Sequence, residues 1–241
     1  MATLDLLGFG STGWGALLLL ATLTTLCVTA VALAIGAVLG AIVAAAKLSG
    51  NRFFVALGNV YTTVFRGVPE LLIIYLIYFG GSTAVTAIGK AFGYEGFLGL
   101  PSFAVGALAV GIISGSYQAE VFRGAYLAIS KGELEAAAAI GMHRGLRLRR
   151  IIMPQVLRFA IPGIGNVWQL SLKDSALISV TGLAELMRTS QVAAGSTRQY
   201  FLFFIVGGCL YLLLTTLSDR VFSRAERRAN RSMPSAVMGQ A

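Results

Sequence analysis

The chain has 241 residues, 56% hydrophobic and only 12% charged. That is about half the roughly 25% charge of ordinary soluble proteins, so the solvent is expected to be lipid around a single membrane domain. The formal net charge of +9 does not point to nucleic acid, because the basic residues sit in short segments flanking long apolar runs. Cys27 and Cys209 lie inside apolar runs and His143 is the one histidine, which excludes a disulfide framework and a histidine metal cluster within the chain.

No charged residue occurs from Leu6 to Ala46. The first span is expected at about 15–46, too long for a signal-peptide core and without a basic stretch before it. Gly36 and Gly40 make a small-x-x-x-small pair there, read as a helix-packing face. A polar turn from Lys47 to Arg52 leads to a second span at about 56–80, interrupted by Arg66-Gly67-Val68-Pro69-Glu70. Residues 81–99 read as a loop with room for a short helix. The third, fourth and fifth spans are expected at about 101–126, 159–180 and 200–217. A polar, basic segment separates the third from the fourth, and a basic tail covers 218–241.

Lys and Arg counts set the orientation. With the amino terminus outside, the inner loops and tail hold thirteen: Lys47, Arg52, Lys131, Arg144, Arg147, Arg149, Arg150, Arg158 and five arginines of the tail. The outer loops hold three, Lys90, Arg188 and Arg198. Such asymmetry predicts an odd number of spans and a cytoplasmic carboxyl terminus.

The inner loop contains Ser130-Lys131-Gly132-Glu133, a capping-box pattern, followed by an alanine run and Gly141. Ser130 and Glu133 are expected to start a helix of two to three turns and Gly141 to end it in the left-handed conformation. By its residues alone this helix either docks on another protein or lies on its own spans and the headgroups.

Ionisable residues at bilayer depth cost about 2.5–3.5 kcal/mol on insertion scales and are functional candidates. Glu70 and Asp174 are expected ~21 Å and ~22 Å from the cytoplasmic ends of their spans. Two acids at one level near mid-membrane would attract a cationic solute. Internal pairing, Arg66 with Glu70 or Lys173 with Asp174 across helices, is the open alternative. Pro69 breaks the helix at this depth and can present backbone groups to a solute. Glu120 and Arg123, three apart near the inner end of the third span, are expected to pair and to shape or gate the inner mouth. Glu185 is expected in the outer loop, where it could meet an external protein. Tyr61, Tyr117 and Trp168 are read as packing residues more than as pocket walls, and His143 as a solvated loop residue.

Glu135-Ala136-Ala137, three residues, Gly141, nine residues, then Ile151-Ile152-Met153-Pro154 resembles the loop signature of ATP-binding-cassette importer permeases, with Met153 in place of the family's leucine. Tyr61-Thr62-Thr63-Val64-Phe65-Arg66-Gly67-Val68-Pro69, Ala119-Glu120-Val121-Phe122-Arg123-Gly124 and Leu172-Lys173-Asp174-Ser175-Ala176-Leu177 are similar to motifs of the polar amino-acid branch. The stretch from Arg66 to Gly80 most resembles permeases for histidine, octopine and nopaline. The resemblance runs from about residue 16 to 220. It implies an all-α membrane protein with five transmembrane helices and the type I importer permease fold. Glu135, Ala136, Ala137, Gly141 and Pro154 would form or flank a coupling helix that docks on a cytoplasmic ATPase dimer. A second permease, most in keeping with a different homologous chain, and an extracytoplasmic solute-binding protein would complete the assembly in the bacterial inner membrane.

The chain lacks G-x-x-x-x-G-K-[ST]. It is therefore expected to be a transport subunit and not an enzyme, with ATP and Mg bound by the partner and no cofactor of its own. Glu70 favours basic amino acids or opines; a permease for neutral or acidic amino acids such as glutamine or glutamate is the alternative. A stand-alone secondary transporter or channel is disfavoured by the missing inverted repeat, and an intramembrane enzyme by the absence of a catalytic set around His143.

Overall fold

The computed structural model of the protein describes residues 3–10, 13–96 and 98–230, which are helical with no strand among them. Helix α1 (Gly15–Leu48) follows the first apolar run. Its buried Thr22, Thr25 and Thr29 return their hydroxyls to carbonyls one turn back, so they enter the core without unpaired oxygens.

The second predicted span is two helices, not one. Helix α2 (Arg52–Gly67) starts where Asn51 accepts a hydrogen bond from the Phe53 N–H at 2.9 Å. It stops at Val68 and Pro69, both in extended conformation, because a residue before proline avoids the helical region. The apolar helix α3 (Glu70–Ala91) then begins and passes through a π-helical turn at Leu76–Gly80. It therefore covers the first half of the predicted 81–99 loop.

Helix α4 (Ser102–Leu127) is the central helix: 67% of its apolar stretch is buried, against 28% for α1 and 17% for α3. Helix α5 (Lys131–Ala139), in the signature loop, follows. Helix α6 (Met153–Asp174) follows a helical turn at Arg144–Arg147 and a π-helical segment at Leu148–Ile152 without leaving helical backbone, so helical structure starts well before the predicted fourth span, and Pro154, which has no N–H to donate, lies just past the π segment. It ends at Asp174 and tightens into a 3₁₀ segment, Ser175–Thr181. Helix α7 (Leu186–Thr197) precedes α8 (Tyr200–Asn230). The last helix runs thirteen residues beyond the predicted span and carries Arg220, Arg224, Arg227 and Arg228 of the expected tail. Residues 231–241 lie outside the described part.

Among the described residues four helices, α1, α3, α4 and α8, are long and apolar enough to cross a membrane. Helix α6 has 22 residues, about 33 Å of rise, but carries Arg158, Lys173 and Asp174. The architecture thus has four to five spanning helices.

Val28 and Ala32 of α1, Ile74 of α3, Ala107 and Val110 of α4 and Ile178 form the main core cluster. Gly36 and Gly40 let α1 approach α4 closely, as their spacing predicts. A Cβ at Gly40 would stand 2.9 Å from the Gln118 Cβ and 3.0 Å from the Ala119 nitrogen. Gly40→Val is therefore expected to destabilise the protein by about 1–3 kcal/mol. A thermal melt in detergent checks this against Gly208→Val, which has open space and should melt like the wild type.

Candidate solute site and docking loop

The break at Val68 and Pro69 decides the arrangement of the membrane charges. Glu70 becomes the first residue of α3, at the positive end of its helix dipole. Asp174 is the last residue of α6. Both are half-buried. They lie close enough for their charges to interact, and both act on Tyr117 of α4.

The Arg66–Glu70 pair, the alternative to a solute role for Glu70, is absent, because the two residues do not share one helix. Arg66 instead lies over the Tyr117 ring, 5.2 Å from its centroid. Lys173 is exposed and makes no ion pair with Asp174. Neither Glu70 nor Asp174 has an ion-pair partner among the described residues. Pro69 is exposed, and its carbonyl accepts hydrogen bonds from the Leu72 and Ile73 N–H groups. The arrangement is an acidic site with an aromatic neighbour, able to attract a cation and to accept its hydrogen bonds.

A cavity of about 540 Å³ shares Arg66 and Tyr117 with this site and is lined as well by Lys47, Thr62 and Glu120, whereas Glu70, Asp174, Pro69 and Lys173 are not among its lining residues. The Glu120–Arg123 pair forms, with Arg123 Nε donating to Glu120 Oε2 at 2.9 Å. Lys47 Nζ binds the other oxygen of Glu120 and donates to Thr62 Oγ1 at 3.0 Å. Sequence reading treated Lys47 as a turn residue and missed this role. The available signal was an opposite charge, Glu120, near the end of the third span. The cluster ties α1, α2 and α4 together at one end of the cavity.

Helix α5 has the predicted end but not the predicted start. Gly141 has φ +81°, its N–H bonds the Ala138 carbonyl at 3.0 Å, and the Met142 N–H bonds the Ala137 carbonyl at 3.0 Å. This is a Schellman termination. Ser130 occupies the N-cap without making a side-chain cap, so the capping box does not form. Glu133 instead accepts a hydrogen bond from Gln155 Nε2 at 2.6 Å, bracing α5 against α6 next to Pro154. Ala137 is buried, whereas Glu135, Ala136 and Gly141 are exposed. Ile140, also exposed, adds an apolar contact point that the sequence reading overlooked. His143 is exposed and its Nδ1 accepts a hydrogen bond from the Leu146 N–H at 3.3 Å.

Glu185 is not an exposed outer-loop residue. It is fully buried, caps α7 by accepting hydrogen bonds from the Met187 and Arg188 N–H groups at 2.8 and 2.6 Å, and accepts a third from Tyr211 at 3.0 Å. Burial removes it from contact with any external protein. Of the aromatic candidates, Tyr61 donates its hydroxyl to the Ile112 carbonyl at 2.6 Å and Trp168 packs with Leu172, Leu214 and Phe222. Both are packing residues; only Tyr117 lines the cavity.

Known proteins carry the same pattern. Over 233 residues the chain is 51% identical to the octopine transport system permease protein of Agrobacterium tumefaciens, covering 97% of this chain and 98% of that one. It is 40% identical over 216 residues to the histidine/lysine/arginine/ornithine transport system permease protein of Escherichia coli, covering 90% and 94%. A crystal structure of an amino acid ABC transporter with histidines superposes with a TM-score of 0.75 at 31% identity, over 89% of this chain and 95% of that one. The family model described as binding-protein-dependent transport system inner membrane component matches residues 36–231. With four to five apolar helices, α4 the most buried of them, and the signature loop standing on α5, the chain belongs to that family, the permease subunits of ATP-binding-cassette importers.

Proposed function

We propose that this chain is the path by which a basic amino acid or an opine crosses the bacterial inner membrane, driven by ATP hydrolysis on a separate cytoplasmic ATPase dimer. The observation that carries this reading is that Glu70 and Asp174 lie near each other and near Tyr117, with Arg66 and Lys173 in the same neighbourhood, and that neither acid makes an ion pair among the described residues. A guanidinium or ammonium group would satisfy both carboxylates, and relatives named for octopine and for histidine, lysine, arginine and ornithine support such a solute. Arg66, on the Tyr117 ring, and Lys173, at the end of α6, would hold the solute's own carboxylate, and Pro69 would contribute the exposed break in the helix, its carbonyl being taken by the Leu72 and Ile73 N–H groups. Glu120 with Arg123 and Lys47 would close the inner mouth.

In this reading α6 is the fifth crossing, the amino terminus lies outside and α5 faces the cytoplasm. Five helices do not enclose a solute path alone, so a second permease, of a different but homologous sequence, and an extracytoplasmic binding protein complete the importer. The uptake of labelled arginine, histidine, an opine and glutamine by proteoliposomes holding the full complex tests it. Arginine, histidine or opine uptake well above that of glutamine, and only with ATP, is expected. Equal uptake of glutamine would return specificity to the binding protein, and uptake without the ATPase would sink the importer reading.

Docking through α5 has its own signature. Gly141→Val forces a β-branched residue into left-handed backbone, at a cost of about 1–2 kcal/mol, and displaces the end of the helix beside Ile140. The expected result is a several-fold loss of solute-stimulated ATP hydrolysis while the ATPase alone is unaffected. Undiminished stimulation would count against α5 as the docking element.

A further inference from the structure

A second cavity of about 1080 Å³ lies away from the acidic site, between the end of α1, the end of α4 and residues 144–157. Its volume is at the upper end of ordinary ligand pockets, roughly 300–1,000 Å³. Ala41 and Ala45 line it, with Val38 and Ile42, which are 62% and 61% exposed, and Leu157. The small alanines make the depression and the larger residues make its walls. The α1 part runs from Ala37 to Leu48, about 16 Å of helix, or one leaflet of a ~30 Å hydrocarbon core.

One end of the groove is cationic. Arg144 and Arg147 line it beside Leu148, and Arg149 and Arg150 follow directly in the chain. Arg147 Nη1 donates to the Leu134 carbonyl of α5 at 3.4 Å, whereas its Nε is buried without a hydrogen-bond partner. Guanidinium groups bind phosphate through paired N–H donors, and Arg144 and Arg147 both line this groove.

We infer that this groove holds one anionic glycerophospholipid of the cytoplasmic leaflet, with an acyl chain along Val38, Ala41, Ile42 and Ala45 and its phosphate on Arg144 and Arg147. The inference rests on the cytoplasmic placement of α5 given above. Apolar walls of one-leaflet length argue for an acyl chain, and two arginines at the headgroup end argue for an anion. Because Arg147 also donates to the Leu134 carbonyl of α5, a phosphate on Arg147 would sit next to that helix.

The test uses the complete transporter in nanodiscs of equal phosphatidylglycerol and phosphatidylcholine content. Either lipid carries a photoreactive group in its acyl chain, and adducts are mapped by mass spectrometry. Phosphatidylglycerol is expected to label residues 37–48 and 152–157 at least fivefold more than phosphatidylcholine. The double variant Arg144→Gln, Arg147→Gln should bring the two to equal labelling. Ala41→Trp should cut labelling by both at least fivefold, while adducts at Leu212 and Leu213, which are exposed on α8, stay constant and report an intact fold.

Equal labelling by the two lipids in the wild type, or labelling indifferent to Ala41→Trp, would overturn the site. So would an Ala41→Cys cross-link to the second permease or the ATPase without a lipid adduct, which would give the groove to a protein. ATP-driven uptake by the same preparation separates the two proposals. Transport without lipid preference removes only the lipid site, whereas lipid preference without transport removes only the importer reading.

Discussion

Glu70→Gln is expected to lower ATP-driven uptake of a cationic solute by about 10–100-fold while the transporter still assembles. A hydrogen bond to a charged group contributes about 1.5–3 kcal/mol, and each 1.4 kcal/mol is a factor of ten in binding. Glutamine keeps the length and one acceptor of the side chain but removes its charge, so the loss measures charge and not shape. Asp174→Asn should weaken uptake in the same direction. Because the two carboxylates interact, the double variant should lose less than the product of the single effects. The measurement is initial uptake of labelled arginine in proteoliposomes, with ATP hydrolysis followed in parallel. Uptake within twofold of wild type would leave Glu70 as a structural charge at the start of α3. Uptake lost together with assembly would mark it as a folding residue.

The second large effect concerns stability. Glu185→Ala is expected to destabilise the protein by about 3–5 kcal/mol, from the loss of a helix cap and of buried hydrogen-bond partners. Three donors depend on this one carboxylate: the Met187 and Arg188 N–H groups at the start of α7 and the Tyr211 hydroxyl of α8. The neighbouring Leu186 N–H is held by Thr25 Oγ1 of α1 at 3.1 Å, so the cap lies where three helices meet. Glu185→Gln retains one acceptor and should fall between alanine and wild type. A melting curve of the detergent-purified complex checks the order, with a drop of about 10 °C expected for the alanine variant. Melting of Glu185→Ala within one degree of wild type would show that water replaces the carboxylate and that burial there is not structural.

Both predictions bear on membrane acids that composition alone treats alike. Glu70 and Asp174 make no ion pair among the described residues, and Glu185 is surrounded by donors. The first arrangement leaves charge available to a ligand; the second spends its acceptors on the fold. Glu120 is intermediate, paired with Lys47 and Arg123 yet lining the cavity. Only the surroundings of each carboxylate separate these three roles.

What the sequence determined by itself is whatever depends on neighbours along the chain. Long apolar runs specify α1 and α4 nearly to the residue, because lipid requires backbone hydrogen bonds to close within each helix. Spacing of four placed Gly36 and Gly40 on one packing face, spacing of three paired Glu120 with Arg123, and a glycine after an alanine run ended α5 at Gly141. The signature loop identified the family for the same reason, since its residues are contiguous.

Local reading failed where helix and span differ. Helix α8 continues past its apolar stretch because arginines are good helix formers outside lipid. Helix α6 is entered before its apolar stretch because the basic segment 144–152 is itself helical, an α turn followed by a π segment, and runs straight into it. The Ser130 box failed because Glu133 has a better partner in Gln155.

Tertiary structure alone decided the rest. The convergence of Glu70 with Asp174, the reach of Lys47 to Glu120 and the burial of Glu185 under Tyr211 join residues far apart in the chain. A charge at bilayer depth must find water, a partner or a ligand, and which of these it meets is set by the helix packed opposite it.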